Sequence, residues 1–139
     1  MNEQLVAHMI EAAIAQLKFS YAPYSEFKVG ASLLAGSGKI YTGCNIENAA
    51  YTPSNCAERT AFFKAVSEGE RKFHAICIAG GKDGILTEYT APCGVCRQVM
   101  MEFCSPDTFK VILAISKEQY KIYTLNEMLP FGFGPANLV

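Results

Sequence analysis

The chain has 139 residues, of which 50% are hydrophobic and 18% are charged, with nine Phe and seven Tyr. This apolar content excludes a disordered protein, and the length predicts a single domain over residues 1–139. Twelve basic side chains are offset by thirteen acidic ones, so the net charge is -1. Because no basic footprint for a polynucleotide is present, we expect no nucleic-acid partner.

The sequence also indicates the cellular compartment in which the protein is expected. Residues 1–11 mix charged and apolar side chains, so they do not read as a secretory leader. No later apolar run reaches membrane-spanning length, and we expect no membrane partner. The chain has six cysteines, but the missing leader and a Cys-x-x-Cys pair favour reduced thiols over three disulfides. We therefore expect a cytoplasmic protein.

The predicted elements begin with an amphipathic helix and a hairpin. Apolar residues recur at helical spacing over residues 5–17, which predicts a helix that ends near Ser20. Two strands, over residues 28–35 and 40–47, flank a turn that contains two glycines. A loop rich in Asn, Tyr, Pro and Ser follows.

The second half alternates helices with short apolar strands. Helices are predicted over 57–68 and 92–103, and buried strands over 73–79 and 109–115. A fifth strand over 121–124 and a short helix over 125–129 precede the tail. This order predicts an α/β fold of three layers, α/β/α, with one mixed sheet of about five strands.

Three thiols are spaced to bind one metal ion. Cys93 and Cys96 are three residues apart, so on a helix their sulfurs rise from one face and can converge on one ion. Cys56 must supply the third thiolate from the start of another helix. Three protein ligands with one position left for water are typical of catalytic zinc, whereas structural zinc normally has four. The sequence therefore predicts one Zn²⁺ per subunit.

Two charged residues beside Cys56 complete the predicted site. Three thiolates leave a zinc centre with net negative charge, which two helix N-termini and the Arg59 guanidinium can offset. Glu58 lies two positions after Cys56, so a regular helix turns it away from an ordinary fourth-ligand position. Its long side chain can still reach the open position and transfer protons as the catalytic acid and base. Zinc deaminases combine a Cys₃ or His-Cys-Cys site, a non-ligand Glu and a Pro-Cys-x-x-Cys motif in this way.

Further segments extend this pattern along the chain. They are Tyr21-Ala22-Pro23-Tyr24-Ser25, Phe27-Lys28-Val29-Gly30-Ala31, Gly43-Cys44-Asn45-Ile46-Glu47-Asn48-Ala49, Cys56-Ala57-Glu58-Arg59-Thr60-Ala61, Pro92-Cys93-Gly94-Val95-Cys96-Arg97-Gln98 and Leu129-Pro130. With these segments the chain closely resembles the small homotetrameric cytidine deaminases, from about residue 21 through the tail. The zinc motif alone would specify only the deaminase superfamily.

The resemblance implies an activity and a substrate. The expected reaction is hydrolytic deamination of cytidine and 2′-deoxycytidine to uridine and 2′-deoxyuridine, with release of ammonia, in pyrimidine salvage. Asn45 and Glu47 match the pair that binds ribose, and residues two apart share a face of a strand. Phe27 and Tyr51 match residues of the pyrimidine pocket, and Ala57 matches a backbone contact to the base.

The resemblance also implies a shared site. Phe133 matches an aromatic that covers the base in a neighbouring subunit, although Phe131 is a second aromatic in the same tail. A homotetramer with sites completed between subunits is therefore expected.

Alternative interpretations remain open at this point. A polynucleotide deaminase would need a basic channel, and a deaminase of a nucleoside antibiotic such as blasticidin S would not need the Asn45 and Glu47 pair. A non-catalytic zinc-binding module would need a fourth ligand and would have no use for Glu58. Asn45 and Glu47 could instead cap a turn, Arg59 could be an ordinary exposed helix residue, and Phe27 and Phe133 could be core aromatics.

Overall fold

The helices and strands follow one another in the predicted order. The computed structural model describes residues 1–139. Its helices are α1 (Glu3–Ala15), α2 (Ala57–Ser67), α3 (Gly94–Phe103) and α4 (Leu125–Met128). Its strands are β1 (Phe27–Ala35), β2 (Ile40–Cys44), β3 (Phe73–Lys82), β4 (Lys110–Ala114) and β5 (Tyr120–Thr124). None of the helices combines the length and the apolar character that a membrane span requires.

The five strands form one mixed sheet in the order β2-β1-β3-β4-β5. β1 pairs antiparallel with both β2 and β3, β3 pairs parallel with β4, and β4 pairs antiparallel with β5. The only parallel pair is the one that α3 connects, because a parallel connection needs a long crossover. The predicted mixed sheet of about five strands is confirmed.

Helices cover both faces of this sheet. In β1, Leu33 contributes to the core beneath α2 and α3, whereas Leu34 contributes to the core beneath α1. Ile76 and Cys77 in β3 divide between the two faces in the same way. This division follows from the two-residue period of a strand, which sends successive side chains to opposite faces. The predicted three-layer α/β/α arrangement is therefore confirmed.

Local capping signals explain where two helices begin. Asn2 caps α1 by accepting a hydrogen bond from the Leu5 N–H at 2.7 Å. Thr124 and Glu127 form a reciprocal capping box at α4. At its other end α1 tightens into a 3₁₀ turn over Gln16–Phe19, so the predicted end near Ser20 is confirmed.

A glycine lets α2 lie directly on β2. A Cβ atom at Gly43 would lie 2.5 Å from the Ala57 carbonyl oxygen and 2.7 Å from the Ala61 nitrogen. Any side chain at Gly43 would therefore push the start of α2 away from the sheet. This close approach fixes the position of Cys56, which immediately precedes the helix.

Two strand boundaries differ from the prediction. β2 ends at Cys44 rather than at Glu47. Beyond Cys44 the chain forms only two isolated β-bridges, in which Ile46 pairs with Tyr21 and with Asn55. β3 continues three residues past the predicted end at residue 79, to Lys82. Its two glycines pair with β1 instead of ending the strand.

Candidate active site

Two of the three predicted ligands stand directly before a helix. Cys56 is the N-cap residue of α2 and Cys93 is the N-cap residue of α3, and both have extended backbone angles. Neither thiol caps its helix by accepting a hydrogen bond from a backbone N–H of the first turn. Both sulfurs are therefore free to face a common point, in the positive field of two helix N-termini.

The three sulfurs are close enough to share one ion. Cys93 Sγ lies 3.7 Å from Cys56 Sγ and 3.5 Å from Cys96 Sγ, and all three lie within 4.8 Å of one another. Sulfur ligands about 2.3 Å from a tetrahedral zinc ion would lie about 3.8 Å apart. No His, Asp, Glu or fourth Cys joins this cluster. The donor set therefore fits one zinc ion per subunit with three protein ligands.

The protonation of the sulfurs shows why a cation suits this cluster. Hydrogen bonds, first from Cys96 and then from Arg59, lower the pKa of the Cys56 thiol to about 5, although burial opposes the charge. The contact with Cys56, together with burial, raises the pKa of the Cys96 thiol. Three sulfurs this close cannot all ionise unless a cation balances their charge.

Arg59 belongs to the sulfur cluster. Its Nη2 donates to Cys56 Sγ at 3.3 Å, and its Nε is buried without a protein partner. Burial opposes the charge, but the contacts with Cys56 and Cys96 outweigh it and raise the pKa of the guanidinium. The interpretation of Arg59 as an ordinary exposed helix residue is wrong, because the guanidinium contacts Cys56.

Glu58 is a buried carboxyl beside the sulfurs. It is only 4% exposed and is one of two buried polar residues in the chain. Burial, followed by the charge of Cys56, raises the pKa of Glu58 to about 7. A buried acid beside metal ligands is costly unless its position serves the site, since burial disfavours the charged form.

A cavity of about 290 Å³ opens beside this cluster. Seven of the predicted site residues line it, namely Asn45, Glu47, Cys56, Ala57, Glu58, Arg59 and Cys93. Cys96 is buried and does not line the cavity. The predicted metal ligands and three of the six predicted substrate contacts, Asn45, Glu47 and Ala57, are thus brought to one place.

Asn45 is held rigidly at the rim by the backbone of β1. Its Oδ1 accepts from the Val29 N–H at 2.9 Å and from the Ser20 hydroxyl, and its Nδ2 donates to the Phe27 carbonyl at 2.7 Å. Because a side-chain amide has two N–H donors, one remains for another partner. The side-chain hydrogen bonds of Asn45 therefore replace the backbone hydrogen bonds that β2 would make with β1 beyond Cys44.

Glu47 is held by a turn on the opposite segment. Its carboxylate accepts from the Tyr24 N–H at 2.9 Å, the Ser25 N–H at 3.1 Å and the Ser25 hydroxyl. These bonds, first of all that from the Ser25 hydroxyl, lower the pKa of Glu47. Glu47 therefore does cap the turn at Tyr24 and Ser25, as the turn-capping interpretation holds. This capping does not compete with a binding role, because the carboxylate also lines the cavity.

Three predicted aromatic contacts lie outside the cavity beside the sulfurs. Phe27 is 39% exposed in an adjacent groove with Tyr89, and Tyr51 is 75% exposed in edge contact with Tyr24. Phe133 is 58% exposed. The alternative in which Phe27 and Phe133 are core aromatics is wrong, because both rings are largely outside the core.

Five cavity residues were not predicted from the sequence. They are Val29, Ser54, Asn55, Thr90 and Ala91. Four of them adjoin motifs that were predicted, since Ser54 and Asn55 precede Cys56, and Thr90 and Ala91 precede Pro92. Their position next to the metal-ligand motifs was therefore the signal in the sequence that could have predicted these four residues.

The chain is similar to proteins named as cytidine deaminases over most of its length. A family profile described as "Cytidine and deoxycytidylate deaminase zinc-binding region" matches residues 3–113. A cytidine deaminase of Sporosarcina psychrophila is 47% identical over 133 residues, which cover 93% of this chain and 94% of that relative. A probable cytidine deaminase of Dictyostelium discoideum is 40% identical, covering 100% of this chain and 90% of that relative.

Solved structures share the fold. A crystal structure of cytidine deaminase from Burkholderia pseudomallei has a TM-score of 0.83 and 43% identity, covering 96% of this chain and 100% of that chain. The Mycobacterium tuberculosis cytidine deaminase has a TM-score of 0.77 and 31% identity, covering 91% of this chain and 95% of that chain. The profile match over residues 3–113, the sequence relatives and these structures agree, and this chain belongs to the cytidine and deoxycytidylate deaminase family.

Proposed function

We propose that this protein catalyses the hydrolytic deamination of cytidine and 2′-deoxycytidine to uridine and 2′-deoxyuridine, with release of ammonia. The observation that carries the proposal is the buried Glu58 carboxyl, which lines one cavity with Cys56 and Cys93. Zinc bound by Cys56, Cys93 and Cys96 would act as a Lewis acid that acidifies water. A zinc module without catalysis would not need a carboxyl buried at this position.

Glu58 is proposed to move the protons of the reaction. With a pKa of about 7 it can both accept and donate a proton near neutral pH. It would take a proton from the attacking water as the water oxygen bonds to C4, and pass that proton to the ring nitrogen N3. It would then move the remaining hydroxyl proton to the C4 amine, so that the C4–N bond breaks and ammonia leaves. Hydrolysis needs both directions of transfer, and a carboxyl near its midpoint can perform both.

The rest of the cavity suits a small nucleoside. A volume of about 290 Å³ lies at the lower end of ordinary ligand pockets. Asn45 and Glu47 are rigid at its rim and keep free hydrogen-bonding capacity, which could pair with ribose hydroxyls. The Ala57 backbone lies beside Glu58, where it could contact the base. This arrangement favours ordinary nucleosides over a blasticidin-type antibiotic.

A homotetramer with shared sites is the proposed assembly. Phe133 is largely exposed and does not line the cavity beside the sulfurs of its own chain, and Phe27 and Tyr51 are also exposed near the site. Exposed aromatics of this kind are enriched at interfaces between subunits. Phe133 is proposed to cover the base bound by a neighbouring subunit.

A cytoplasmic role in pyrimidine salvage completes the proposal. All six cysteines are free thiols, which suits a reducing compartment. The proposed reaction converts one free pyrimidine nucleoside into another, as a salvage enzyme would.

Substitution of Glu58 by Gln tests the function directly. We expect Glu58→Gln to retain zinc and to lose about 10²- to 10⁴-fold in kcat, because the amide cannot shuttle protons. Ultraviolet absorbance would follow cytidine, deoxycytidine, cytosine, blasticidin S and single-stranded DNA in parallel, and only the first two should change. Glu102→Gln, at an exposed position on α3, is the matched control. A wild-type protein inactive on both nucleosides, or a fully active Glu58→Gln variant, would refute the proposal.

Arg59 is proposed to compensate the charge of the thiolates. Arg59→Ala removes the cation that contacts Cys56 Sγ, so zinc should be lost to a chelator about 10- to 100-fold faster. The release of zinc would be followed with a coloured chelator. Arg71→Ala removes an exposed arginine that binds only backbone carbonyls, and it should release zinc at the wild-type rate. Equal release from Arg59→Ala and wild type would exclude the role.

Glu47 is proposed to recognise the sugar. Loss of a hydrogen bond to a charged group costs about 10- to 150-fold, so Glu47→Ala should reduce kcat/KM for cytidine by that factor. Binding of the sugarless analogue 1-methylcytosine, measured by inhibition, should stay within about twofold because it has no ribose to lose. Ser25→Ala, which removes one bond to Glu47 but keeps the carboxylate, is the control. Equal damage to both ligands would assign Glu47 to the turn alone.

The shared site can be tested by mixing subunits. Phe133→Ala subunits retain Glu58, and Glu58→Gln subunits retain Phe133, so co-expression would recreate some complete sites. With random pairing about a quarter of the sites would be complete, and activity should rise well above the sum of the separate variants. Phe131→Ala in place of Phe133→Ala identifies which aromatic is used. No recovery in either mixture would contradict a site completed between subunits.

A further inference from the structure

The C-terminal segment, residues 128–137, lies against α3. Arg97 Nη1 donates to the Met128 carbonyl at 2.5 Å, and Gln98 Nε2 donates to the Phe133 carbonyl at 2.7 Å. A Cβ atom at Gly134 would lie 3.0 Å from Met101 Cε, so the backbone packs closely there. The helix that follows Cys93 therefore also holds the segment that carries Phe133.

Arg97 also contacts the metal-binding loop, which is the segment Pro92–Cys93 immediately before α3. Its Nε donates to the Pro92 carbonyl at 2.7 Å, and its backbone N–H donates to the Cys93 carbonyl at 3.0 Å. One guanidinium thus joins the peptide before Cys93 to the end of α4. The Met128 carbonyl is one of the last in its helix and has no intrahelical partner, so the arginine satisfies a group that would otherwise need water.

The contacts of Arg97 require its planar fork. The side chain makes no ion pair, because no carboxylate lies within 4.0 Å of it. Its charge is directed at two backbone carbonyls on separate segments. A guanidinium fixes the spacing of two acceptors, whereas the ammonium of lysine is a point donor on a flexible stem.

The Phe133 ring has few other restraints. It is 58% exposed and makes no aromatic pair within the chain. Its position therefore depends on its backbone, which is held through Gln98 and, five residues earlier, through Arg97 at Met128. A segment with one of these bonds removed would sample more conformations.

We propose that Arg97 is a positioning residue that couples the metal-binding loop, Pro92–Cys93, to the segment carrying Phe133. Through this coupling, the metal-binding loop of one subunit sets where that subunit presents its aromatic ring. The inference rests on the proposed use of Phe133 in deamination. It assigns Arg97 no contact with substrate.

Hydrogen exchange tests the coupling without activity. In zinc-loaded protein, Arg97→Gln should raise exchange of amides in residues 129–137 about tenfold or more, the effect of losing a hydrogen bond to a charged group. Gln98→Ala, which leaves the Pro92 contact intact, should raise exchange at residues 133–134 alone. Arg71→Gln removes two arginine–carbonyl bonds elsewhere and should leave the segment unchanged. Unchanged exchange in Arg97→Gln would overturn the proposal.

A double-mutant cycle separates positioning from general damage. Arg97→Gln should lower kcat/KM for cytidine about tenfold in the wild-type background, and by less than about threefold once Phe133→Ala has removed the ring. Arg97→Lys should recover little of the loss, because it cannot bind both carbonyls. Equal losses in both backgrounds would show a merely structural role and overturn the proposal. A wild-type protein without turnover would instead refute the deamination proposal, while the exchange experiment would still decide the coupling.

Discussion

The close approach of three cysteine sulfurs is the constraint on which the rest of this site depends. Sulfurs 3.5 to 3.7 Å apart repel one another once ionised, so all three can be thiolates together only when a cation balances their charge. The fold supplies partial compensation from two helix N-termini, because Cys56 and Cys93 are both N-cap residues. A zinc ion supplies most of the positive charge that balances the three thiolates, and the helix N-termini supply part of the rest.

The sheet brings these two helix starts together. α2 approaches β2 closely at Gly43, and α3 connects the parallel strands β3 and β4, so both helices lie on the same face. The ligands are separated by 37 residues in the chain but meet because each follows a segment anchored to this face. Packing of the helices on one hydrophobic core therefore sets the sulfur distances, and core stability and metal binding are linked.

Predictions from the sequence were correct where the feature depends on residues close together in the chain. The spacing of Cys93 and Cys96 and the period of α1 depend on neighbours within one or two turns, and both were predicted correctly. The end of β2 was predicted wrongly because Asn45 replaces strand pairing with side-chain bonds to residues 16 to 25 positions away. The double contact of Arg97 with Pro92 and Met128 is equally non-local. No periodicity or propensity encodes such contacts, since they exist only once the segments have met.

The balance of charge also explains why Arg59 and Glu58 are adjacent. Three thiolates and a zinc ion together carry a net negative charge, which would raise the pKa of a neighbouring buried carboxyl further than burial alone. The Arg59 guanidinium lies against Cys56 Sγ and opposes this increase in the pKa of Glu58. Burial and the thiolate thus favour the protonated carboxyl, while the guanidinium favours the ionised one. A carboxyl held between these opposing influences keeps both protonation states accessible, which the proton transfers proposed for Glu58 require.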